Sequence, residues 1–272
     1  MENFSLPLPH GFSLRDTLLC GQCFRWEEQP DGSFTGWAGI HHATLRQQDN
    51  TLTVTGSDPD FWTEYLDLRE DYDRWKTAFA ADRTLSAAVE KCGGIRILRQ
   101  QPWETVISFI ISANNNIPRI RGIIDRLCTG FGTDGCFPTP EQLAVQTPET
   151  LSPLRAGFRT KYILDAARKV ADGTLCLDQL ADMPLQQARE QLMTVNGIGP
   201  KVAECILLYG FHRLDAFPVD TWIKKVLCQC YPDGFPEWIA PKGVAQQYLF
   251  HYIRVCCPKE EQNAAINLPA DR

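Results

Sequence analysis

The chain has 272 residues, of which 44% are hydrophobic and 22% charged, and these proportions argue against a disordered, collagen-like or coiled-coil protein. No apolar run reaches the length of about 18 residues that a membrane-spanning helix needs, and the first residues lack the basic start and apolar stretch of a secretory signal. The net charge of −6 disfavours, taken alone, nucleic acid as a partner.

Residues 30–56 have the pattern of β-strands separated by turns. Pro30-Asp31-Gly32 and Gln48-Asp49-Asn50 are turn signals. The apolar residues between and after these turns stand at strand-like spacing among polar residues: Phe34, Trp37, Ile40, Leu45, Leu52 and Val54. We therefore predict a small antiparallel sheet.

The pattern becomes helical from Asp58-Pro59-Asp60, which has the composition of a helix start. Trp103 to Ile111 form one apolar helical stripe. Proline and glycine separate further helix candidates over 117–127, 162–170, 185–193, 202–209, 222–230 and 244–255. We expect an α+β fold, with an N-terminal antiparallel β domain with flanking helices over residues 1–85 and a larger α-helical domain over residues 86–272.

The chain has 11 cysteines and no export signal, which together indicate reduced thiols that are mostly small core residues. Cys20 and Cys23 form a C-x-x-C pair that stands alone, without the second pair that a tetrahedral zinc site needs. The gaps within the later pairs do not fit a thiolate site either: Cys228 with Cys230, and Cys256 with Cys257.

The segment from Leu192 to Cys205 carries the strongest signal. A helix ends, Gly197-Ile198-Gly199 makes a turn, and Pro200 stands where a new helix begins. The glycines permit positive φ and leave N–H groups uncovered beside a helix N-terminus, which predicts a phosphate site. This is the helix–hairpin–helix pattern, over about residues 185–210, and its amide contacts need little net positive charge. The alternative is a tight turn without a ligand, but the residues around the glycines favour the hairpin.

Lys201 follows the hairpin glycines, and Asp220 opens a helix 19 residues later, in Phe217-Pro218-Val219-Asp220. A lysine here can simply contact phosphate, and a carboxylate at a helix start is most often an N-cap. An amine and a fixed carboxylate that face one pocket would instead suit attack on an acetal-like sugar carbon. The amine would form a Schiff base, and the carboxylate would stabilise an oxocarbenium-like charge.

Six segments carry a family resemblance that runs from about residue 14 to residue 256. They are Gly21-Gln22-Cys23-Phe24-Arg25-Trp26, Ile97-Leu98-Arg99-Gln100, Ser112-Ala113-Asn114-Asn115-Asn116-Ile117-Pro118-Arg119-Ile120, Gly157-Phe158-Arg159-Thr160-Lys161-Tyr162, Asn196 to Cys205, and Phe217 to Asp220. Through them the sequence resembles the 8-oxoguanine DNA glycosylases of the helix–hairpin–helix superfamily. The hairpin defines only the superfamily, whereas the first and third segments are more specific to the oxoguanine branch.

The resemblance implies a bifunctional glycosylase/AP lyase of base excision repair, which flips 8-oxoguanine out of duplex DNA, preferentially opposite cytosine. Lys201 would attack C1′ of the deoxyribose, and β-elimination from the Schiff base would break the strand. Asp220 would stabilise the developing positive charge and help to position Lys201. The implied partner is double-stranded DNA containing 8-oxoguanine, and a monomer is enough for one lesion.

Four residues would recognise the flipped base. The Gly21 carbonyl would accept a hydrogen bond from N7–H of 8-oxoguanine, whereas normal guanine has an acceptor at N7 and would be repelled. Cys205 and Phe250 would pack on the two faces of the base, and Gln246 would bond its edge. Without the resemblance, Cys205 and Phe250 would be interpreted as core residues, and Gly21 as a turn.

Four further residues would contact the DNA around the lesion. Asn114 would fill the space that the base leaves and contact the orphan cytosine, to which Arg119 and Arg159 would donate. Phe158 would wedge into the base stack. A core aromatic is the alternative for Phe158, and a solvated or phosphate-bound side chain is the alternative for each arginine.

The hairpin would bind phosphate through the N–H groups of Gly197 and Gly199. The carbonyls of Met193, Val195 and Ile198 match positions that hold a monovalent cation, Na⁺ or K⁺, in the family. No other cofactor is required, and we expect no iron–sulfur cluster, because the late cysteines lack the C-x₆-C-x₂-C-x₅-C spacing of cluster-bearing relatives.

Two departures from the family concern Trp222, where eukaryotic relatives carry histidine, and Phe158, where the wedge is often tyrosine. No nuclear or mitochondrial address is visible, so we expect a bacterial-type cytoplasmic enzyme that is associated with the nucleoid when bound to DNA. Two alternatives stay open. The protein could be a related glycosylase for another oxidised or mispaired base, or a non-catalytic DNA-binding protein that needs neither Lys201 in a pocket nor Asp220 opposite it.

Overall fold

The structure, a computed structural model, describes residues 2–256. Its strands are β1 (Glu2–Pro7), β2 (Trp26–Glu28), β3 (Phe34–Ala38), β4 (His41–Gln48) and β5 (Thr51–Gly56). They form one antiparallel sheet in the order β1-β5-β4-β3-β2. The strands predicted over residues 30–56 are confirmed. The sequence does not single out β1, a largely exposed edge strand, or β2, which has only three residues.

The helices of this part of the chain are α1 (Leu14–Leu19), α2 (Pro59–Tyr65), α3 (Tyr72–Phe79), α4 (Arg83–Cys92), α5 (Pro102–Ser112), α6 (Ile117–Phe131), α7 (Pro140–Ala144), α8 (Arg159–Ala171), α9 (Leu177–Leu180), α10 (Leu185–Leu192), α11 (Pro200–Gly210), α12 (Thr221–Cys230) and α13 (Lys242–His251). A π-helical turn, Tyr252–Cys256, continues α13. The α+β class is confirmed. Within the described residues, no helix is long and apolar enough to cross a membrane.

One face of the sheet carries the apolar side chains of the strands. Leu45 pairs with Val54 on one side and with Phe34 on the other, and all three are buried. Because successive strand residues point to opposite faces, this register gathers the apolar positions on one side. There Trp62 of α2 packs edge-on against Trp26, with 5.8 Å between ring centroids, and a small core results.

The central helix of the larger part is α5, which is buried on nearly every side: Trp103 and all residues from Thr105 to Ile111 are buried. The sequence predicts one apolar stripe, but a helix that packs on several neighbours is apolar all round. Helices α8 and α11 contact it. Phe109 of α5 therefore has a fixed place beside α11.

The two parts of the fold interleave. Phe24, just after α1, packs in the helical core at 5.7 Å from the Phe109 ring, whereas Leu98, just before α5, packs in the core of the sheet. The predicted division between residues 85 and 86 falls inside α4, whose buried residues belong to the helical core. This exchange of segments fixes the loop between α1 and β2 relative to the helices.

Asp67 is a buried charge where the two parts meet. Its carboxylate accepts hydrogen bonds from the Tyr72 hydroxyl and from Arg99 Nε, each at 2.9 Å, and lies 3.2 Å from His212 Nε2. Burial alone would raise the pKa of Asp67, but the hydrogen bond and charge of His212, with Arg99 and Tyr72, hold it below its ordinary value of 3.8. Because His212 follows α11, this carboxylate joins the sheet to that helix.

We predict that Asp67→Asn destabilises the protein by about 2 kcal/mol at pH 7, because the variant removes the anion that these donors bind. A carboxyl whose folded pKa is lowered stabilises the protein above its ordinary pKa, and this contribution is lost as the pH falls through the folded pKa. Urea unfolding should therefore show a wild-type advantage at pH 7 that shrinks below about pH 4. If wild type exceeded Asp67→Asn in free energy of unfolding by the same amount at pH 7 and below about pH 4, this role would be contradicted.

Candidate active site

Helix α10, a turn and α11 form the predicted hairpin. Gly197 has a φ of +87°, and a Cβ there would collide with the Tyr162 ring, so both the backbone conformation and the close approach require glycine. Gly199 differs, because its φ is −93° and the space where a Cβ would lie is open. Both glycines permit positive φ, but only Gly197 adopts it.

The turn presents open hydrogen-bond donors. The N–H groups of Gly197 and Gly199 have no acceptor in the described part of the chain. The turn is held from behind by Asp165 of α8, whose carboxylate accepts the Asn196 N–H at 2.7 Å and the Lys169 ammonium at 2.9 Å. Uncovered amides next to the start of α11 suit a bound anion.

Lys201 and Asp220 lie at the starts of two helices and line one narrow cavity. Lys201 is the second residue of α11, and its ammonium lies 5.8 Å from the centre of the Phe109 ring. Asp220 is the N-cap of α12, where its Oδ1 accepts the N–H groups of Trp222 at 3.0 Å and Ile223 at 2.8 Å. Asp220 is therefore both the N-cap of α12 and a residue that lines the cavity.

The four residues predicted to bind a base line the same cavity: Gly21, Cys205, Gln246 and Phe250. Cys205 lies one turn after Lys201 on α11, and Gln246 lies one turn before Phe250 on α13. Gly21, between α1 and β2, has a φ of +92°, and a Cβ there would lie 3.8 Å from the Phe250 ring. Separate segments of the chain thus meet at one opening.

Gln246 offers an unpaired acceptor. Its Nε2 donates to the Pro218 carbonyl at 3.0 Å, whereas its buried Oε1 has no partner among the described residues. A buried polar atom without a partner costs free energy, so an orphan acceptor on a cavity wall points to a donor supplied by a ligand. The N–H groups on the edge of a purine are such donors.

Four of the residues predicted to contact DNA lie in or directly after two loops, the loop before α6 and the loop before α8. Asn114, with a φ of +50°, and Arg119 are exposed around the start of α6, and Phe158 is 58% exposed before α8. This exposure excludes the core interpretation of Phe158. Arg159, in contrast, is buried, and its Nε and Nη2 donate to the carbonyls of Ala113 and Asn114 at 2.5 to 3.1 Å. Arg159 therefore joins the two loops.

Sequence reasoning missed several residues that shape the cavity. Phe109 and Tyr209 line it. Arg254 stacks on the Phe250 ring at 4.8 Å, and its Nη1 would lie 3.5 Å from a Cβ at Gly21. The only local signal for Arg254 is its spacing of four residues from Phe250.

Glu204 is a further residue of the site that the sequence did not single out. This buried carboxylate on α11 accepts the Phe217 N–H at 2.7 Å and the Arg189 Nε at 2.5 Å. Arg189 belongs to α10, and Phe217 lies three residues before Asp220. The contacts thus connect both helices of the hairpin to the segment that carries Asp220.

Three clefts in the described part of the chain are larger than this cavity, but none of them contains Lys201 or Asp220. Within the described residues, no group of three or more His, Cys, Asp or Glu side chains could hold a metal ion. Cys20 and Cys23 are both buried, and each thiol donates to a backbone carbonyl at 3.3 Å. The chemistry of the lining therefore selects the smaller cavity as the candidate active site.

The two parts of the chain match two protein families. Residues 5–106 match the N-terminal domain of 8-oxoguanine DNA glycosylases, and residues 107–242 match the HhH-GPD superfamily of base excision DNA repair proteins. The chain belongs to the HhH-GPD superfamily. Its hairpin, with Gly197, Gly199 and Lys201, lies within the second match.

Relatives among known proteins agree with this membership. The N-glycosylase/DNA lyase OGG1 of Arabidopsis thaliana is 31% identical over 280 residues, which cover 92% of this chain and 76% of the relative. The N-glycosylase/DNA lyase of Saccharomyces cerevisiae is 41% identical over 158 residues, but that match spans 51% of this chain and only 42% of the yeast protein.

Solved structures share the whole architecture of this HhH-GPD chain. The structure of MBOgg1 with a low affinity DNA ligand has a TM-score of 0.87 and 40% identity, covering 92% of this chain and 94% of that one. The 8-oxoguanine glycosylase/lyase of Clostridium acetobutylicum, in complex with double-stranded DNA containing cytosine opposite 8-oxoG, has a TM-score of 0.83 and 35% identity, covering 90% and 92%. The combination of a sheet and a helical domain is thus a feature of known relatives.

We predict that Cys205 resists alkylation at pH 8. Burial raises the pKa of its thiol to about 11, although the nearby Lys201 ammonium acts in the opposite direction. Because iodoacetamide reacts with the thiolate, modification of Cys205 should be slow at pH 8 and accelerate as the pH rises towards 11. Peptide mapping by mass spectrometry should find the exposed Cys228 modified first. Equal rates for the two thiols at pH 8 would contradict the buried environment.

Proposed function

We propose that this HhH-GPD protein is a bifunctional DNA glycosylase that excises 8-oxoguanine from duplex DNA and then cleaves the strand as an AP lyase, in base excision repair. One observation carries the proposal: the cavity that Lys201 and Asp220 line is also lined by Gln246, whose buried Oε1 has no partner among the described residues. A cavity lined by an amine, a carboxylate and a glutamine with an unpaired amide oxygen suits an enzyme better than a protein that only binds DNA. The names of the relatives in Arabidopsis and yeast support the same chemistry.

The target base must leave the helix stack, because the sugar carbon cannot be reached inside the duplex. Phe158 and Asn114, which are both exposed, would enter the space from which the base departs. The uncovered amides of Gly197 and Gly199 would hold a phosphate of the same strand. This grip depends on amides and a helix terminus, so it is compatible with a net charge of −6.

The bond changes start at Lys201. Attack of its neutral amine on C1′ breaks the bond to the base, which leaves with the bonding electrons. Loss of a proton from nitrogen and opening of the C1′–O4′ bond give a Schiff base. Removal of a C2′ proton then expels the 3′ phosphate. Asp220, fixed as an N-cap, would stabilise the positive charge that develops on the sugar.

Recognition of the lesion would rest on one proton. In 8-oxoguanine N7 carries a hydrogen that can bond to the Gly21 carbonyl, whereas N7 of guanine is an acceptor and would face that carbonyl without a proton. Gln246 Oε1 would accept from the opposite edge, while Cys205 and Phe250 would cover the faces of the ring. An unpaired buried acceptor costs about 1–3 kcal/mol, which disfavours guanine in this site.

We further propose that the hairpin carbonyls of Met193, Val195 and Ile198 would hold a monovalent cation. Oxygen donors suit Na⁺ or K⁺, and in the described part of the chain the carbonyls of Met193 and Ile198 accept no hydrogen bond, whereas that of Val195 accepts the Ile198 N–H at 3.1 Å. The ion would add positive charge beside the phosphate that the turn binds.

We predict that Lys201→Gln abolishes excision and the covalent intermediate, because an amide cannot form a Schiff base. Duplex DNA with 8-oxoguanine opposite cytosine is incubated with each protein and treated with NaBH₄, and the trapped complex is measured. Wild type should form it, as should the control Lys91→Gln, which changes a lysine that pairs with Glu90 on α4. Trapping by Lys201→Gln at the wild-type level would show that another residue is the nucleophile.

We predict that Arg119→Ala reduces the preference for cytosine opposite the lesion about tenfold, since one lost base contact is worth about 1–3 kcal/mol. Excision is measured with each of the four bases opposite 8-oxoguanine. The control Arg74→Ala removes the same charge from α3, where Arg74 pairs with Glu70, and should lower all four rates equally or not at all. An unchanged preference in Arg119→Ala would refute the assignment.

A further inference from the structure

Gln22, next to Gly21, uses both N–H donors and the oxygen of its side-chain amide. The side chain is completely buried. Its Nε2 donates to the carbonyls of Thr17 and Arg96, both at 2.8 Å, and its Oε1 accepts the Leu98 N–H at 3.0 Å. A buried amide with all these bonds has one orientation only. The residue after Gly21 is therefore fixed between the end of α1 and the segment before α5.

The same loop is also connected to the helix that carries Lys201. Gln100 Nε2 donates to the Gln22 carbonyl at 2.8 Å, and the Gln100 N–H donates to the Tyr209 carbonyl at 3.4 Å. Tyr209 belongs to α11 and lines the cavity. A continuous set of hydrogen bonds thus runs from the Gly21 loop to α11 across the interface between the sheet and the helices.

Gly21 itself has little that could hold it. It has no side chain and adopts a φ of +92°, a conformation that glycine can enter and leave without a steric barrier from a Cβ. On the cavity side, Phe250 and Arg254 lie close enough to limit its movement in one direction. Movement away from the cavity is limited by the bonds of Gln22.

We propose that Gln22 is a positioning residue for lesion recognition: its buried amide holds the Gly21 carbonyl at the place where it meets N7–H of the flipped base. The inference rests on the proposed function and adds a residue to it. Hydrogen bonds weaken steeply outside about 2.7–3.2 Å, so a small displacement of this carbonyl removes the contact that separates the lesion from guanine. Lys201 and Asp220 are held by other contacts, among them those of Glu204.

The two steps of the reaction distinguish a role in lesion recognition from a general role in the stability of the site. Excision of 8-oxoguanine needs the Gly21 carbonyl, whereas cleavage at an abasic site has no base to recognise and needs only the sugar chemistry. The experiment measures kcat/KM of wild type and Gln22→Met on two duplexes, one with 8-oxoguanine opposite cytosine and one with an abasic site opposite cytosine. Methionine has about the same length but forms none of the three bonds.

The expected result for Gln22→Met is a loss of about 30-fold or more in kcat/KM on the 8-oxoguanine duplex, because small misplacements in a site cost up to about 100-fold. Cleavage of the abasic duplex should stay within about threefold of wild type. Gln47→Met is the matched control. Gln47 also makes three bonds to backbone groups, those of Leu14, Phe12 and Asp49, but it lies on β4. It should leave the ratio of the two activities unchanged.

Gln100→Met gives a second test that does not require a change in the buried amide. It removes only the bond to the Gln22 carbonyl, so we expect the same selective loss at about fivefold. If both variants lose the two activities in parallel, or lose neither, the inference is overturned. Wild type that cleaves abasic DNA but does not excise 8-oxoguanine would instead overturn the proposed function. Faster amide hydrogen exchange at Leu98 in Gln22→Met, relative to wild type, is expected in either case.

Discussion

Two helix N-termini that meet at one cavity are the constraint on which the rest of the structure depends. Lys201 stands in the first turn of α11, and Asp220 caps α12. The partial positive charge at a helix start stabilises nearby anions. It therefore favours both the carboxylate of Asp220 and a DNA phosphate at this end of the two helices. Close packing of the hairpin turn on Tyr162 and the buried contacts of Glu204 keep these helix starts together.

The parts of the site come from two different cores. The helical core supplies the amine, the carboxylate and the walls that Cys205 and Phe250 form, whereas the loop with Gly21 is anchored where Phe24 and Leu98 cross between the cores. The cavity is therefore lined both by residues of the helical core and by a loop that contacts of both cores hold in place.

Much of this could be predicted from sequence, because the signals are local. The turns around residues 30–50, the apolar stripe of α5, the hairpin and the capping carboxylate at Asp220 all depend on residues close to one another in the chain. What could not be predicted depends on distant contacts: Gln22 bonds Arg96 and Leu98 across more than 70 residues, and the orphan Oε1 of Gln246 exists only in three dimensions. The conformation of Gly199 could not be predicted either, since a glycine in a turn motif permits positive φ but need not adopt it.

The buried guanidinium of Arg159 has a consequence for the rigidity of the loop that carries Ala113 and Asn114. A guanidinium carries five N–H donors, and here Nε and Nη2 are engaged by the carbonyls of Ala113 and Asn114. Nη1 has no hydrogen-bond acceptor among the described residues, so two of the five N–H donors are left for a ligand. Arg159 can thus bond an incoming acceptor without releasing the loop it braces, and a ligand met by Nη1 finds a surface that is already organised before the encounter.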